Sequence, residues 1–315
     1  MWPAIEMIED QQNCEAPACT RHGGKCFVNY QCKPEPYKCG SLPENYMLDA
    51  MRYATKQISK PMENNFERKY RTLVSDILNN GELRNTRTGQ TRAVFNKVIS
   101  HKLDDGFPML TGRKINLKTI AVEFEWMLWG KSLAWMQQQG VHIWDAWEGK
   151  GTIPYGHYIQ RQWNAAKNIL INEPQSRRAI IEMWQHNDIN NYALPPCYHT
   201  LQFYISGGCL NLSVAFRSSD VAIGLPHDIP VLALFLKQMS KEINVHAGEL
   251  TCMLVDAHIN EENTGIMYKY LNRNTYMLTE LIIAKDKLGL KQWERYSLRD
   301  YLFDAQPLPK LIVKP

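Results

Sequence analysis

The segment from Leu201 to Phe216, LQFYISGGCLNLSVAF, alternates apolar and polar side chains on both sides of a Gly-Gly pair. The apolar positions are Leu201, Phe203 and Ile205 before the pair and Leu210, Leu212, Val214 and Phe216 after it. Alternation with a period of two is typical of a strand with one buried face, and glycines suit a tight turn. The segment therefore predicts a β-hairpin, so part of this chain must fold as a sheet.

Other segments predict helices and further strands. RRAIIEMW and LTCMLVDAHI have the composition of strands, and NLKTIAVEFEWMLWGKSLAWMQQQG predicts an apolar helix that breaks near Gly130. FERKYRTLVSDILNNGE predicts a helix that ends at Gly81, and PVLALFLKQMSKEI predicts a buried helix. Because helices and strands do not alternate as βαβ units, we expect an α+β fold with one large mixed β-sheet flanked by helices.

The chain of 315 residues divides by composition into three parts. Residues 1–44 are rich in Cys, Pro and Gly without a helical period, which predicts an irregular extension. Residues 45–66 predict a short helix and a polar joint, and residues 67–315 predict the main domain.

The charge balance is mild, with 36 Lys and Arg against 32 Asp and Glu, a formal net charge of +4. Such an excess does not favour nucleic acid as a partner. No apolar run is long enough to span a membrane, and the acidic N-terminus lacks the order of a signal peptide. We therefore expect a cytoplasmic protein that binds neither membranes nor nucleic acid.

Five of the eight cysteines lie within 26 residues of the extension: Cys14, Cys19, Cys26, Cys32 and Cys39. In a reducing compartment a local cluster of this kind indicates metal ligands more than disulfides, and zinc is the metal it would suit. However, the spacing contains no C-x-x-C pair and matches no standard zinc pattern. A small cysteine-rich arm without metal is the alternative.

Several side chains in the main domain could support chemistry. Cys197 follows two prolines and precedes a predicted strand, so it is either a nucleophile or a small buried side chain. Glu123 and Glu125 lie in the apolar helix, where burial would raise the pKa of either one enough for acid–base work. Arginines stand beside small polar residues in NTRTGQT, QSRR and RSSD, a setting that suits phosphate as well as surface ion pairs.

The order of motifs resembles the thymidylate synthase family. These motifs are RNTRTG, DGFPMLTGRK, EFEWMLWG, VHIWDAW, PYG, PQSRR, LPPCYHTLQFY, FRSSDVAIGLP and VDAHI, over roughly residues 67 to 315. The resemblance implies that fold, a homodimer formed through sheet packing, and transfer of a one-carbon unit from 5,10-methylenetetrahydrofolate to carbon-5 of a pyrimidine nucleotide. Within the family, the chain is most similar to the phage deoxycytidylate (dCMP) hydroxymethylases, which implies host cytoplasm as its location.

The resemblance also implies roles for individual residues. Cys197 matches the nucleophile that adds to carbon-6 of the pyrimidine, and Glu123 matches the glutamate that moves protons on the base. The nucleotide ligands implied are Arg87, Arg217 and Ser218 at the phosphate, Arg177 and Arg178 at the partner's phosphate, Tyr155 at the base and His258 at the sugar. The residues implied on the folate side are Trp144, Asp220 and Gly224.

Three positions depart from the pattern of thymidylate synthases. Asp228, in the stiff turn that GLPHDIP predicts, stands where those enzymes have the Asn that pairs with uracil. An ionised Asp only accepts hydrogen bonds, so it suits the exocyclic amine of cytosine better than a uracil carbonyl. An Asn with its amide turned over could also pair with cytosine, so the replacement favours cytosine without deciding the base. Asn260 replaces a tyrosine expected near the sugar, and Tyr198 replaces the His that usually follows the nucleophile.

These features predict an enzyme that converts dCMP to 5-hydroxymethyl-dCMP. Similarity at Glu125 to the hydroxymethylases, and an ending at PLPKLIVKP before the tail that closes thymidylate synthases, also favour hydroxylation by water over hydride transfer. The alternatives are a thymidylate synthase that converts dUMP to dTMP and a dUMP hydroxymethylase. A protein of another class, in which the cysteine-rich arm binds nucleic acid or a protein complex, also stays open.

Overall fold

The structure is a computed structural model that describes residues 61–87, 89–284 and 291–313. The α-helices in these ranges are α1 (Asn65–Asn80), α2 (Leu117–Trp129), α3 (Leu133–Gln138), α4 (Pro154–Asn172), α5 (Leu225–Ile243) and α6 (Glu261–Leu271). The strands are β1 (Glu82–Thr86), β2 (Gly89–Lys102), β3 (Ile180–Glu182), β4 (Tyr198–Ser206), β5 (Cys209–Phe216), β6 (Ser219–Asp220), β7 (His246–Asn260), β8 (Leu281–Ile283) and β9 (Tyr296–Leu298).

Seven strands form one sheet in the order β1-β2-β7-β5-β4-β3, with β6 also paired to β7. Strands β5 and β6 run parallel to β7, and the other pairs are antiparallel. The predicted α+β fold with one large mixed sheet is therefore confirmed. Strand β7 is the centre of this arrangement, because it carries β2 on one side and both β5 and β6 on the other.

The predicted hairpin is confirmed as β4 and β5, which pair from Tyr198↔Phe216 to Ser206↔Cys209. Its turn residues Gly207 and Gly208 have φ of 58° and 77°, the left-handed region in which two-residue hairpin turns place both central positions. The residues predicted to face the core are buried, apart from the partly buried Ile205. The glycine turn and the alternation of apolar residues in β4 and β5 thus require the same pairing of the two strands.

The two faces of the sheet differ in what covers them. One face packs against α1, α4 and α5, and α2 packs against α4 and α5; the apolar core lies among these elements. The other face presents large apolar side chains to the exterior: Val98, Tyr204, Met253 and Val255. An exposed apolar sheet face suits packing against another protein surface, so it supports the predicted homodimer, which stays a prediction.

The long apolar segment forms two helices, as its sequence predicts. Helix α2 ends at Gly130, whose φ of 58° is the left-handed cap conformation that glycine adopts without strain, and α3 follows from Leu133. Helix α1 ends at Gly81, also as predicted. Almost every residue of α2 from Ile120 to Leu128 is buried, which places both of its carboxyl groups inside the core.

The interpretation of GLPHDIP as a stiff turn is wrong. Helix α5 begins at Leu225, with Pro226 in its first turn and Pro230 inside it. The first turn of a helix needs no backbone N–H donors, so a proline is tolerated there, and its fixed φ suits the helix. As a result, Asp228 lies in the first turns of a buried helix rather than in a loop.

Two further expectations can be compared with the described ranges. None of the helices there combines the length and the apolar character that crossing a membrane requires. Nor do three His, Cys, Asp or Glu side chains cluster there as metal ligands would. The predicted zinc site at Cys14, Cys19, Cys26, Cys32 and Cys39 and the division before residue 67 stay predictions, since residues 1–60 lie outside the described residues.

Replacing Gly208 by alanine tests the backbone requirement of the hairpin turn. An added Cβ meets no atom within 4 Å, so the cost comes from its positive φ and should be about 1 kcal/mol of unfolding free energy. Gly265→Ala in the interior of α6 is the matched control, because it too meets no atom but has helical φ. It should stabilise by about 0.5 kcal/mol. Urea unfolding followed by circular dichroism measures the unfolding free energy of both variants. Equal effects of the two substitutions would contradict the positive φ assigned to Gly208.

Candidate active site

Cys197 immediately precedes β4, and its backbone is held on two sides. Its N–H donates to the Tyr155 hydroxyl of α4 at 2.7 Å, and its carbonyl accepts from the Arg217 N–H at 2.9 Å. The Arg217 guanidinium donates to the carbonyls of Pro195 and Pro196, both at 2.9 Å. Arg217 therefore clamps the whole Pro-Pro-Cys segment against the end of β5.

The thiol of Cys197 is partly exposed in an acidic environment. Burial and the charge of Asp228 raise its pKa to about 11, while Arg217 and the Tyr155 hydroxyl act in the opposite direction. The thiol is therefore protonated at neutral pH until a change in the site favours the thiolate, which is the nucleophilic form. Arg217 and Asp228 are the two groups whose balance decides this.

Helix α2 directs its two glutamates to different places. Glu123 accepts a hydrogen bond from the Trp144 indole at 2.9 Å, and burial raises its pKa to about 7 despite this bond. Glu125 accepts from the Trp129 indole, from Arg295 at 3.1 Å and from the Tyr296 hydroxyl at 3.0 Å. Glu123 can therefore exchange protons near neutral pH, whereas Glu125 belongs to a structural ion pair.

Aromatic rings connect the thiol to Glu123. The Tyr155 ring lies 5.7 Å from that of Trp144 and 4.7 Å from that of Tyr198. Tyr198 is fully buried, and its hydroxyl donates to the thioether sulfur of Met127, one turn after Glu123 on α2, at 3.1 Å. The space between Cys197 and Glu123 thus has flat apolar walls that suit a planar ring.

Asp228 is partly exposed and makes no side-chain hydrogen bond to any described residue. Burial, together with the charges of Glu123 and Asp220, raises its pKa well above the ordinary value. Gly224, one turn earlier, lies so close that a Cβ there would be 3.5 Å from the Asp228 carboxyl. A carboxyl group without a protein partner beside the thiol is therefore available to a ligand.

The family comparison now decides what kind of site this is. The model of the family described as thymidylate synthase matches residues 68–311. This chain belongs to the thymidylate synthase family. Members transfer a one-carbon unit to carbon-5 of a pyrimidine nucleotide and use methylenetetrahydrofolate as the co-substrate. The chain is therefore a folate-dependent enzyme of pyrimidine nucleotide metabolism.

The polar residues of this thymidylate synthase family member continue from the thiol along β6 and β7. The Ser218 hydroxyl donates to Asp256 at 2.8 Å, and His258 Nδ1 lies 3.0 Å from the same oxygen. Burial raises the pKa of Asp256, but these two contacts outweigh burial and hold it below its usual value. Asp220 accepts from the backbone N–H groups of Ala222 and Ile223, so its carboxylate is fixed at the start of α5.

The predicted arginines are not all brought together within one chain. Arg217 lies beside Cys197, whereas Arg87 is exposed in the turn between β1 and β2. Arg177 and Arg178 are exposed before β3, and Arg178 pairs with Glu173. The predicted roles of these three at a phosphate stay predictions, and those of Arg177 and Arg178 need the homodimer.

A basic cleft of about 290 Å³ was not anticipated from the sequence. It is lined by Arg113, Lys114, Arg273, Phe303, Asp304 and Leu311, among others. Arg113 donates to the carbonyl of Ala222, two residues after Asp220, and its Nε is buried without a hydrogen-bond partner among the described residues. The basic pair in TGRK was the available signal.

Replacing Glu123 by glutamine tests the buried carboxyl. Between its ordinary pKa of 4.5 and about 7 only the unfolded state releases the proton, so the wild-type protein loses stability as the pH rises. Glu123→Gln lacks this loss and should gain about 3 kcal/mol relative to the wild type between pH 4.5 and pH 7.5.

Urea unfolding at both pH values measures the difference. Glu148→Gln, at an exposed position, is the matched control and should follow the wild type at each pH. Parallel behaviour of Glu123→Gln and the wild type would contradict a raised pKa at Glu123.

Proposed function

We propose that this chain hydroxymethylates carbon-5 of a cytosine nucleoside monophosphate, with dCMP as the substrate that the sequence resemblance indicates. The observation that carries this proposal is Asp228, a carboxyl group with a raised pKa and no protein partner beside the nucleophile. Thymidylate synthases have an Asn at this position, as noted above. The choice of base therefore depends on what a carboxyl group can do and an amide cannot.

A carboxyl group can share a proton with cytosine in either direction. Protonated Asp228 donates to ring nitrogen 3 and accepts from the exocyclic amine; ionised Asp228 accepts from both groups once nitrogen 3 is protonated. The two arrangements contain the same atoms and differ only in whether Asp228 or ring nitrogen 3 carries the shared proton. With uracil, by contrast, an ionised carboxylate faces a carbonyl oxygen, so only the protonated form is complementary. The raised pKa of Asp228 supports the shared-proton arrangement.

The other residues around the thiol supply the remaining chemistry. The Cys197 sulfur adds to carbon-6, which makes carbon-5 nucleophilic, and Arg217 favours the thiolate that this addition needs. Methylenetetrahydrofolate provides a one-carbon unit at the oxidation level of formaldehyde. Glu123, whose pKa of about 7 suits proton exchange, takes the proton that carbon-5 must lose before the sulfur leaves carbon-6.

Water rather than hydride completes the proposed reaction. The support for this part is the similarity to the dCMP hydroxymethylases at Asp228. Glu125 gives no further support to hydroxylation by water, because its carboxyl group contacts Arg295 and Tyr296 rather than the site. The phosphate would be held by Arg217 and Arg87, together with the partner copy's guanidinium groups if the exposed apolar sheet face forms the homodimer.

Cys197→Ala should abolish exchange and substitution at carbon-5, because it removes the sulfur that adds to carbon-6. Release of tritium from [5-³H]dCMP in the presence of methylenetetrahydrofolate measures this step, with an expected loss of at least about 1,000-fold. Cys209→Ala, which removes a partly exposed thiol at the start of β5, is the matched control and should retain full activity. Retained activity in Cys197→Ala would rule out the proposed nucleophile.

Asp228→Asn should shift the preference from cytosine toward uracil nucleotides. The amide cannot share a proton with nitrogen 3, so kcat/KM for the cytosine nucleotide should fall about 10- to 100-fold relative to the uracil nucleotide. The two nucleotides are compared in the same tritium-release assay, and dihydrofolate formation distinguishes methylation from hydroxymethylation. If the wild type prefers dUMP and forms dihydrofolate, the proposed function is wrong.

A further inference from the structure

Asn260 is the last residue of β7, and its amide has one partner only. Its Nδ2 donates to the Asp220 carboxylate at 3.2 Å, whereas its Oδ1 is buried without a hydrogen-bond partner among the described residues. The residue is 5% exposed. The Nδ2 end of the amide is therefore engaged with Asp220, and Oδ1 is the free acceptor.

A free side-chain oxygen is unusual for an asparagine in the position that Asn260 occupies. Asn260 is the N-cap residue of α6, where an asparagine oxygen usually accepts from the first backbone N–H groups of the helix, yet it makes no such bond. Leaving a buried acceptor unpaired costs about 1–3 kcal/mol, so native proteins rarely do so without a reason. The side chain thus forgoes its usual helix cap and keeps an acceptor beside Asp220.

Strand geometry places Asn260 with the polar residues that lie between base and phosphate. Side chains alternate along a strand, so Asp256, His258 and Asn260 share one face of β7, and Asp220 lies opposite His258 in the register. Ser218, next to the phosphate ligand Arg217, contacts Asp256 at the other end of this row. The sugar of a nucleotide with its base at Asp228 and its phosphate at Arg217 would lie along this row.

His258 adds a ring nitrogen to the row. Its Nδ1 donates to the Asp256 carboxylate at 3.0 Å, and in the tautomer that carries its proton on Nδ1, Nε2 is an acceptor. Asn260 Oδ1 and His258 Nε2 are two acceptors on adjacent positions of one face. A deoxyribose 5′-phosphate has one hydroxyl to donate, whereas a ribose 5′-phosphate has two neighbouring ones.

We propose that the sugar site of this chain reads ribose through its two hydroxyls, with Asn260 as the specificity-determining residue. One hydroxyl donates to His258 and the other to the free oxygen of Asn260. The inference rests on the proposed function for the location of the sugar and deepens it: the base is the same, and the ribonucleotide CMP binds this site more tightly than dCMP. Asp228 selects the base, and Asn260 selects the sugar.

The test is the equilibrium binding of CMP, dCMP, UMP and dUMP to the full chain, measured by calorimetry without folate. For each base, the ribonucleotide should bind at least about 10-fold more tightly than the deoxyribonucleotide. One hydrogen bond to a buried acceptor accounts for a difference of this size. Asn260→Leu removes the acceptor at nearly constant volume and should weaken CMP about 10-fold while leaving dCMP within about 3-fold. Asn260→Tyr, which also removes the amide oxygen, should lose the ribose preference as well.

The ratio of CMP to dCMP affinity is compared within each variant, so a general loss of folded protein does not change it. Thr264→Val, which removes a hydrogen bond in the first turn of α6, is the matched control and should leave the ratio of CMP to dCMP affinity unchanged. A wild type that binds dCMP as tightly as CMP would overturn the sugar inference and leave the cytosine assignment intact. Tighter binding of the uracil pair would overturn the proposed base while still reporting on the sugar, and failure of all four nucleotides to bind would overturn both.

Discussion

The burial of α2 is the constraint on which the rest of the site depends. This helix is apolar on almost every side and lies inside the core, so each carboxyl group on it needs a specific partner. Glu125 finds a guanidinium and two aromatic donors, which joins α2 to the segment around β9. Glu123 has one indole donor and no cation, which leaves its proton easy to exchange. One helix therefore supplies a structural anchor and, two residues earlier, a buried carboxyl group with a raised pKa.

Acidity dominates the surroundings of the thiol. The Asp220, Asp228 and Glu123 carboxyls all have raised pKa values because burial, and in Asp228 the other two charges as well, disfavours ionisation. Arg217 opposes this trend, but much of its guanidinium is engaged in holding the Pro-Pro-Cys backbone. A cationic or proton-accepting group in the pocket would relieve the accumulated acidity. This electrostatic setting supports the proposal of cytosine, which is a base that can take a proton.

The sequence predicted the elements whose signals are local. The hairpin turn at Gly207 and the helix break at Gly130 depend on backbone conformations that glycine favours, so both could be read directly. The choice between Glu123 and Glu125 could not, because a helix buried on all sides has no polar face to orient it. GLPHDIP was misread because a proline in the first turn of a helix resembles a proline in a loop. The free oxygen of Asn260 depends on Asp220, forty residues away, and only the folded chain reveals it.

The proximity of Asp228 to Cys197 has a consequence for fidelity. A negative charge at Asp228 raises the pKa of the thiol, so whatever happens to that charge is transmitted to the sulfur. A base that shares a proton with the carboxyl neutralises it and releases the thiolate. A base that leaves the carboxylate ionised is met by a sulfur that stays protonated and unreactive. Such a pocket discriminates against a wrong nucleotide in the rate of the chemical step as well as in affinity. It also keeps the nucleophile unreactive toward other electrophiles when no nucleotide is bound.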